Sequence, residues 1–344
     1  MKKFFLFLIS AIFLLTTLTA CDACNQEKDV AYYLNWVSTS EPVFGYKETC
    51  VYDVNYRADY NEHGYNYSAQ SGIGVDIIYD NSTYTVITEV LQTAPAGISV
   101  DSDYTGKIYK ITTDLKINVN YSIVNGYFND RVTSTVYFYD HNNGFAPIYS
   151  EKSYDTTTLT LNNDGVANKI LRYIYNTKIV YDKGTAKISV WQPDNLPEST
   201  SVINVATVNK VTDKKVSGDY KKFIDNETLL FASRNLPTDK TTTLKVASTS
   251  FMNIEKVNVT NLAKGSITIN ANGETVSVPC ATMSILRDGD TYTGSPIIVD
   301  ISTDKATVND ATVLDSNAYI CKMVTKLPSY TGAVEYLLKS VEHN

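Results

Sequence analysis

Histidine is almost absent from this chain: His63, His141 and His343 are the only three in 344 residues. The five cysteines, Cys21, Cys24, Cys50, Cys280 and Cys321, include one close pair and no second. A zinc site takes about four His, Cys or carboxylate ligands, so no metal site is expected. Arg287-Asp288-Gly289-Asp290 comes nearest to a calcium loop, but two carboxylates fall short of the roughly six to eight oxygens that calcium takes. The sequence has no nucleophile elbow, phosphate loop or paired catalytic carboxylates. His63 and His141 stand in turn-like stretches, where an imidazole is usually just solvated. No catalytic residue and no cofactor are therefore expected, and the chain is not read as an enzyme. Basic excess is lacking too. Thirty Lys and Arg face 37 Asp and Glu, a formal charge of −7, which gives no reason to bind nucleic acid phosphates and no basic stripe for anionic lipids.

The sequence also lacks an apolar run long enough to cross a bilayer. The run Phe4 to Leu18 has 15 residues, against roughly 20 for a spanning helix. It follows Met1-Lys2-Lys3, so it has the basic start and apolar middle of a secretory signal. It ends in Leu18-Thr19-Ala20-Cys21, which resembles the bacterial lipobox. That resemblance implies a diacylated Cys21, cleavage just before it, and a mature protein held on the extracytoplasmic face of the cell membrane. Two acyl chains make such an anchor stable where one is marginal. Cys21-Asp22-Ala23-Cys24 is a poor redox pair, because no βαβ context lowers the thiol pKa and Asp22 would raise it. Removing residues 1–20 takes away Lys2 and Lys3 and no acid, so the charge goes from −7 to −9, and four cysteines other than Cys21 remain. Cys280 and Cys321 both lie in late strand-like segments and are the first choice for a disulfide. Cys24 with Cys50 would then staple the tether, and buried unpaired thiols are the alternative.

What the chain has in abundance is strand. Residues 21–45 read as a tether, and 46–344 as an antiparallel β domain with a candidate sub-boundary in the polar stretch 192–220. Tyr52, Val54, Tyr56, Ala58 and Tyr60 alternate with Asp53, Asn55, Arg57 and Asp59, the period of a half-buried strand with its aromatic side toward the core. Asn61-Glu62-His63-Gly64 is a turn. Leu115, Ile117, Val119, Tyr121 and Ile123 repeat the pattern up to the hairpin signal Asn125-Gly126. Further strands are expected over 132–139, 170–181, 185–191, 243–247, 257–262 and 266–270, with turns at 140–144, 163–165 and 182–184. Tyrosine is unusually common, at 26 residues. It suits pleated surfaces with a buried ring and a wet hydroxyl, so core and cross-strand packing accounts for most of it. An aromatic groove for sugars is the sharper alternative.

One stretch, Phe223 to Pro237, breaks the pattern. Asp225 suits an N-cap, and Glu227 in the first turn suits the helix dipole. Ile224 and Leu229 take the positions of a hydrophobic staple, and Pro237 stops the helix. A short amphipathic helix over 226–236 is expected, with Leu229, Ala232 and Leu236 on one face and Arg234 near its end. The pattern Asp-Asn-x-x-Leu-Leu-x-Ala-x-Arg-x-Leu-Pro at 225–237 resembles the helix of uncharacterised bacterial envelope proteins related to the lipoprotein-localisation half-barrels. Asp130 to Phe138 with Pro147-Ile148-Tyr149-Ser150 also resembles that group, as does Gly273-Glu274-Thr275-Val276 with Pro279-Cys280-Ala281-Thr282-Met283, where Ala281 replaces the usual Gly and Met283 the usual aromatic. The likeness covers roughly 46–290 and transfers a fold, not a site. It implies an antiparallel sheet curled into an open half-barrel with a helix against its mouth.

The expected architecture is thus all-β, a curved half-barrel-like sheet with one short amphipathic helix, the alternative being two β-sandwich-like domains joined at 192–220. The expected function is a lipid-anchored envelope protein that binds an apolar ligand such as an acyl chain, with the helix as lid and Leu229, Phe231 and Leu236 as candidate lining residues. The alternative is a surface interaction module that binds a protein or glycan through strand edges or Tyr-rich loops.

Overall fold

A computed structural model describes residues 44–344, apart from 101–106, 142–143, 183–184, 218–222, 235, 250–251, 289–294 and 329–330. β1 (Lys47–Arg57), β2 (Asn61–Glu62) and β3 (Tyr65–Asn66) come first. A run of long strands follows: β4 (Ile77–Leu91), β5 (Ile108–Tyr121), β6 (Tyr127–His141), β7 (Gly144–Leu161) and β8 (Ala167–Asp182). Then come β9 (Thr185–Trp191), β10 (Ile203–Val205), β11 (Val211–Ser217) and β12 (Ile224–Asp225). A single 3-10 turn (Asn226–Thr228) leads into α1 (Leu229–Ser233). The second half is β13 (Thr242–Ser248), β14 (Asn253–Ala271), β15 (Glu274–Asp288), β16 (Ile297–Ser302), β17 (Ala306–Val308), β18 (Ala311–Leu314), β19 (Ile320–Lys326) and β20 (Ala333–His343).

Sixteen of these strands form one sheet in the order β11-β9-β8-β7-β6-β5-β4-β1-β20-β19-β16-β15-β14-β13-β12, with β10 added on β8. Most neighbours are sequential antiparallel hairpins. The non-sequential antiparallel neighbours are β9–β11, β1–β4, β1–β20 and β16–β19, while β10 on β8 and β12 on β13 pair parallel. The sheet turns from one half of the chain to the other at β1 and β20, paired from Glu48↔His343 to Arg57↔Ala333 with a bulge at Val51/Tyr52. Both halves are therefore one continuous sheet, not two sandwiches. The stretch 192–220 supplies β10 and β11 to the edge beyond β9.

The sheet curls without closing. Ile179, Tyr181, Ala186, Ile188 and Val216 from one end of the strand order pack against Phe223 and Ala247 from the other. Between these ends the concave face carries the main core, which runs from Cys50, Tyr52 and Val54 through Ile111, Val136 and Phe138 to Val257, Val278, Met283 and Val299. The short helix lies in the same cluster through Leu229, Phe231 and Ala232. All sixteen strands, the helix and this core lie among the described residues.

Three expected boundaries shift for visible reasons. The alternation through Ala58 and Tyr60 outlasts its strand: β1 ends at Arg57, and Tyr60 instead stacks on Tyr67 in a separate cluster. The two strands expected at 257–262 and 266–270 are one strand, β14. The register shifts by a bulge between Asn261 and Ala263, and the ladder continues through Gly265, paired with Cys280. The helix is also shorter than 226–236, since regular turns stop at Ser233. Tyrosine behaves as core and cross-strand filler: Tyr154 stacks on Tyr175 at 4.3 Å, and Tyr84 touches both Tyr52 and Tyr336.

The β1–β20 seam depends on one glycine. Gly332, just before β20, has φ +110°, and a Cβ there would sit 2.6 Å from the Arg57 carbonyl oxygen and 3.0 Å from the Tyr56 ring. Gly332→Ala therefore meets both a forbidden dihedral and a backbone atom that cannot yield. It is expected to lower unfolding free energy by about 2–4 kcal/mol, and urea denaturation measures it.

Candidate functional site

Period-two alternation sends Glu48, Cys50, Tyr52 and Val54 of β1 to the concave face. The facing positions of β6 and β7 include Ser134, Val136, Ser150 and Lys152, paired as Ser134↔Lys152 and Val136↔Ser150. On the far side β15, β16 and β19 contribute Arg287, Ile297, Ile320 and Met323. The helix closes over these strands, and a cavity of about 250 Å³ remains beneath it. Its walls are largely apolar, with Tyr52, Tyr84, Ile111, Leu115 and Tyr336 from the sheet and Leu229, Leu230 and Phe231 from the helix. Phe231 meets Phe138 edge to face at 5.7 Å.

Polar contacts pin the helix at both ends. At its start, Asp225 accepts hydrogen bonds from Glu227 N (2.7 Å), from Ser150 Oγ on β7 and from Tyr181 OH on β8, the last two at 2.5 Å. Burial, reinforced by the charge of Glu227, pushes the Asp225 carboxyl up to about 6, while the bonds from Ser150 and Tyr181 work the other way. Glu227 accepts from Lys152 Nζ at 3.1 Å. Burial alone would raise the Glu227 carboxyl, but Lys152 more than reverses this and holds it below its ordinary range. Asn226 accepts from the Arg287 guanidinium, which also bridges Glu255 at 2.7 Å. At the far end, Arg234 donates to both oxygens of Glu48, at 2.6 and 3.0 Å, and to the Ala318 carbonyl at 2.7 Å. Its guanidinium lies 5.3 Å from the Tyr319 ring centre. Burial raises the Glu48 carboxyl, and the Arg234 charge overrides it, so Glu48 stays ionised.

Of the residues singled out in the sequence, Leu229 and Phe231 line the cavity. Leu236 is buried in the adjoining core, 5% exposed, and is not on the cavity wall. The Asp225 cap forms as its sequence implies. Arg234 does not serve the helix dipole; it forms the buried pair with Glu48. Cys21 and Cys24 lie outside the described residues. Cys280 and Cys321 are both buried and are free thiols, so the disulfide expected between them is absent from this structure. β16 separates their strands β15 and β19. The two side chains do meet: a hydrogen bond with Cys280, followed by burial, pushes the Cys321 thiol up. His63 sits in the β2–β3 turn at φ 52°. Glu48, Lys152 and Arg287 were not singled out as site residues. The available signal was a charge at an inward position of an otherwise apolar or hydroxyl-bearing alternation, as in Glu48-Cys50-Tyr52-Val54.

No family model matches the chain, and no curated protein matches it. Among solved structures, a β-barrel-like protein of the domain of unknown function DUF1849 from Brucella abortus is similar in outline. Its TM-score is 0.43 at 11% identity, over 88% of this chain and 100% of that one.

Two outcomes follow from the anchors. Arg234→Met leaves Glu48 buried without its cation, with the long bond from the Tyr46 hydroxyl at 3.4 Å, and is expected to cost about 3–5 kcal/mol in urea denaturation. Glu48→Leu combined with Arg234→Met should recover most of that loss, the signature of a coupled pair. Asp225 gives a pH dependence of known sign. The folded chain keeps this proton up to about pH 6, whereas an unfolded Asp releases it near about pH 4. Stability from this group is therefore lost as pH rises from about 4 to about 6 and stays lost above. Asp225→Asn keeps the cap and removes the titration, so its unfolding free energy should gain on the parent's across that window. Parallel pH profiles would rule Asp225 out as the titrating group.

Proposed function

We propose that this chain is a lipid-anchored envelope protein of the extracytoplasmic face that holds an apolar ligand, without catalysis, beneath the helix Leu229–Ser233. The observation that carries this reading is the cavity of about 250 Å³ walled by Leu229, Leu230 and Phe231 on one side and by Tyr52, Tyr84 and Ile111 on the other. An apolar chamber with a few convergent polar groups is the usual form of a small-molecule site. The ionisable groups at its rim favour binding over chemistry, because they are paired with one another: Lys152 with Glu227 and Arg234 with Glu48. A single chain burying ~200 Å² of apolar surface gains about 5 kcal/mol from transfer alone. The anchor reading rests on Leu18-Thr19-Ala20-Cys21 after the apolar run, and it would place the site next to a source of acyl chains.

Native mass spectrometry of the full chain, followed by organic extraction, tests the ligand. One bound apolar molecule per chain is expected, and its occupancy should fall in a folded Leu229→Asp variant. A chain that is empty as purified and takes up no added lipid would overturn the reading. For the anchor, labelled palmitate should enter the full chain and fail to enter Cys21→Ser.

A further inference from the structure

We infer that Arg287 sets the length of apolar chain that the cavity beneath the helix accepts, standing as a braced wall between that cavity and a second one beyond it. The inference rests on the pocket reading above and adds a specificity-determining residue to it.

The inner cavity has a guanidinium near each end of the helix, Arg234 at its close and Arg287 beside its start. Both are tied in place. Arg234 is held by Glu48 at 2.6 and 3.0 Å, and Arg287 by Glu255 at 2.7 Å and by Asn226. The Arg234 end is closed: its side chain is 6% exposed and lies against the Tyr319 ring. The Arg287 end is different. Its side chain is 25% exposed, and space continues past it into a cavity of about 230 Å³. The two cavities share Leu229, Arg287, Ile297 and Thr325 as walls.

Of these four side chains, Arg287 is the longest, and it is braced from two directions. Glu255 holds it from β14, and Asn226 from the segment that opens the helix. A hydrocarbon chain growing toward the second cavity must either stop at this group or displace it. Displacement breaks charge-assisted hydrogen bonds, which are among the stronger ones. It also presses methylenes on a guanidinium and strips water from it without offering a bond in return. At about 250 Å³ the inner cavity is below the roughly 300–1,000 Å³ of common ligand sites, so a chain of moderate length meets this limit. The partners of Arg287 are what make it a wall, because an untethered side chain would swing aside.

N-phenylnaphthylamine, a neutral dye that brightens in apolar surroundings, reports occupancy of the cavity in the full chain. Its displacement by an even-numbered series of straight alcohols, hexanol to tetradecanol, is measured for the parent and for Arg287→Ala. Neutral alcohols keep the charge of the arginine out of the comparison. In the parent, each added methylene should tighten binding about fourfold until the cavity is full, and affinity should then level off. In Arg287→Ala the rise should continue for about two further methylenes, so that the longest alcohol binds about tenfold more tightly than to the parent. Should that variant not fold, Arg287→Ala combined with Glu255→Ala removes the stranded carboxylate and carries the same expectation. A parent affinity that rises all the way to tetradecanol, or a folded variant that levels off at the parent's chain length, overturns the inference and leaves the pocket reading standing. If neither the dye nor any alcohol binds the folded parent, the pocket reading falls and takes the inference with it.

Discussion

Arg234 and Glu48 meet with side chains 6% and 2% exposed, and taking two such charges out of water costs several kcal/mol for each ion. That cost is offset only when the geometry is close and the remaining donors are satisfied. Here both carboxylate oxygens are engaged, a third guanidinium N–H reaches the Ala318 carbonyl, and the Tyr319 ring lies 5.3 Å from the guanidinium carbon. The arrangement permits one docking of the helix end and penalises any other, because a displaced Arg234 abandons Glu48 inside the core. A sheet that curls but does not close leaves a concave apolar face in need of a cover. The Arg234–Glu48 pair fixes where that cover sits.

The opposite end of the helix follows the same logic with weaker links. Three consecutive residues, Asp225, Asn226 and Glu227, bond to β7 and β8, to β15, and to β7 again. The segment is therefore clamped at its ends by polar contacts, while its middle, Leu229 to Phe231, meets the cavity only through apolar side chains. Such contacts are not directional, so the middle can adjust to the outline of a guest while the ends stay in register. A helix of this length has little stability of its own, and it persists because its capping carboxylate and its terminal arginine are both anchored in the sheet.

Strand positions and the helix position rest on local signals, whereas the strand order does not. Alternation in β1 and β5 and the turn at Asn125-Gly126 are local, so they show in a window of a few residues. The cap at Asp225 is local as well. The pairing of β1 with β20 joins residues nearly 300 positions apart, as in Glu48↔His343, and no local pattern encodes it. The bulge at Asn261/Ala263 is hidden for a related reason: Gly265 and Lys264 look like a break, and only the fifteen-residue partner β15 shows that the ladder continues. Glu48 and Lys152 were legible only in part. Each is a charge on the inward phase of its strand, but the sequence does not say which partner would neutralise it. Arg234, at a helix end, has an ordinary explanation in the dipole that conceals its long-range role.

The edges of the sheet limit where the proposed ligand could enter. An open sheet exposes unpaired backbone at both ends, a hazard unless covered. Here the end strands β11 and β12 are short, and Tyr181, Ile188 and Val216 on one side close against Phe223 and Ala247 on the other. The strands β10 and β11 of this stretch lie at that edge of the one sheet. Entry through the wall elsewhere would require breaking inter-strand hydrogen bonds along several strands at once. Entry beneath the helix requires moving eight residues, Asn226 to Ser233, whose middle section holds only by apolar contact. Among the described residues, the helix is the part of the cavity wall that no strand ladder holds, and its middle section meets the cavity through the apolar side chains of Leu229, Leu230 and Phe231.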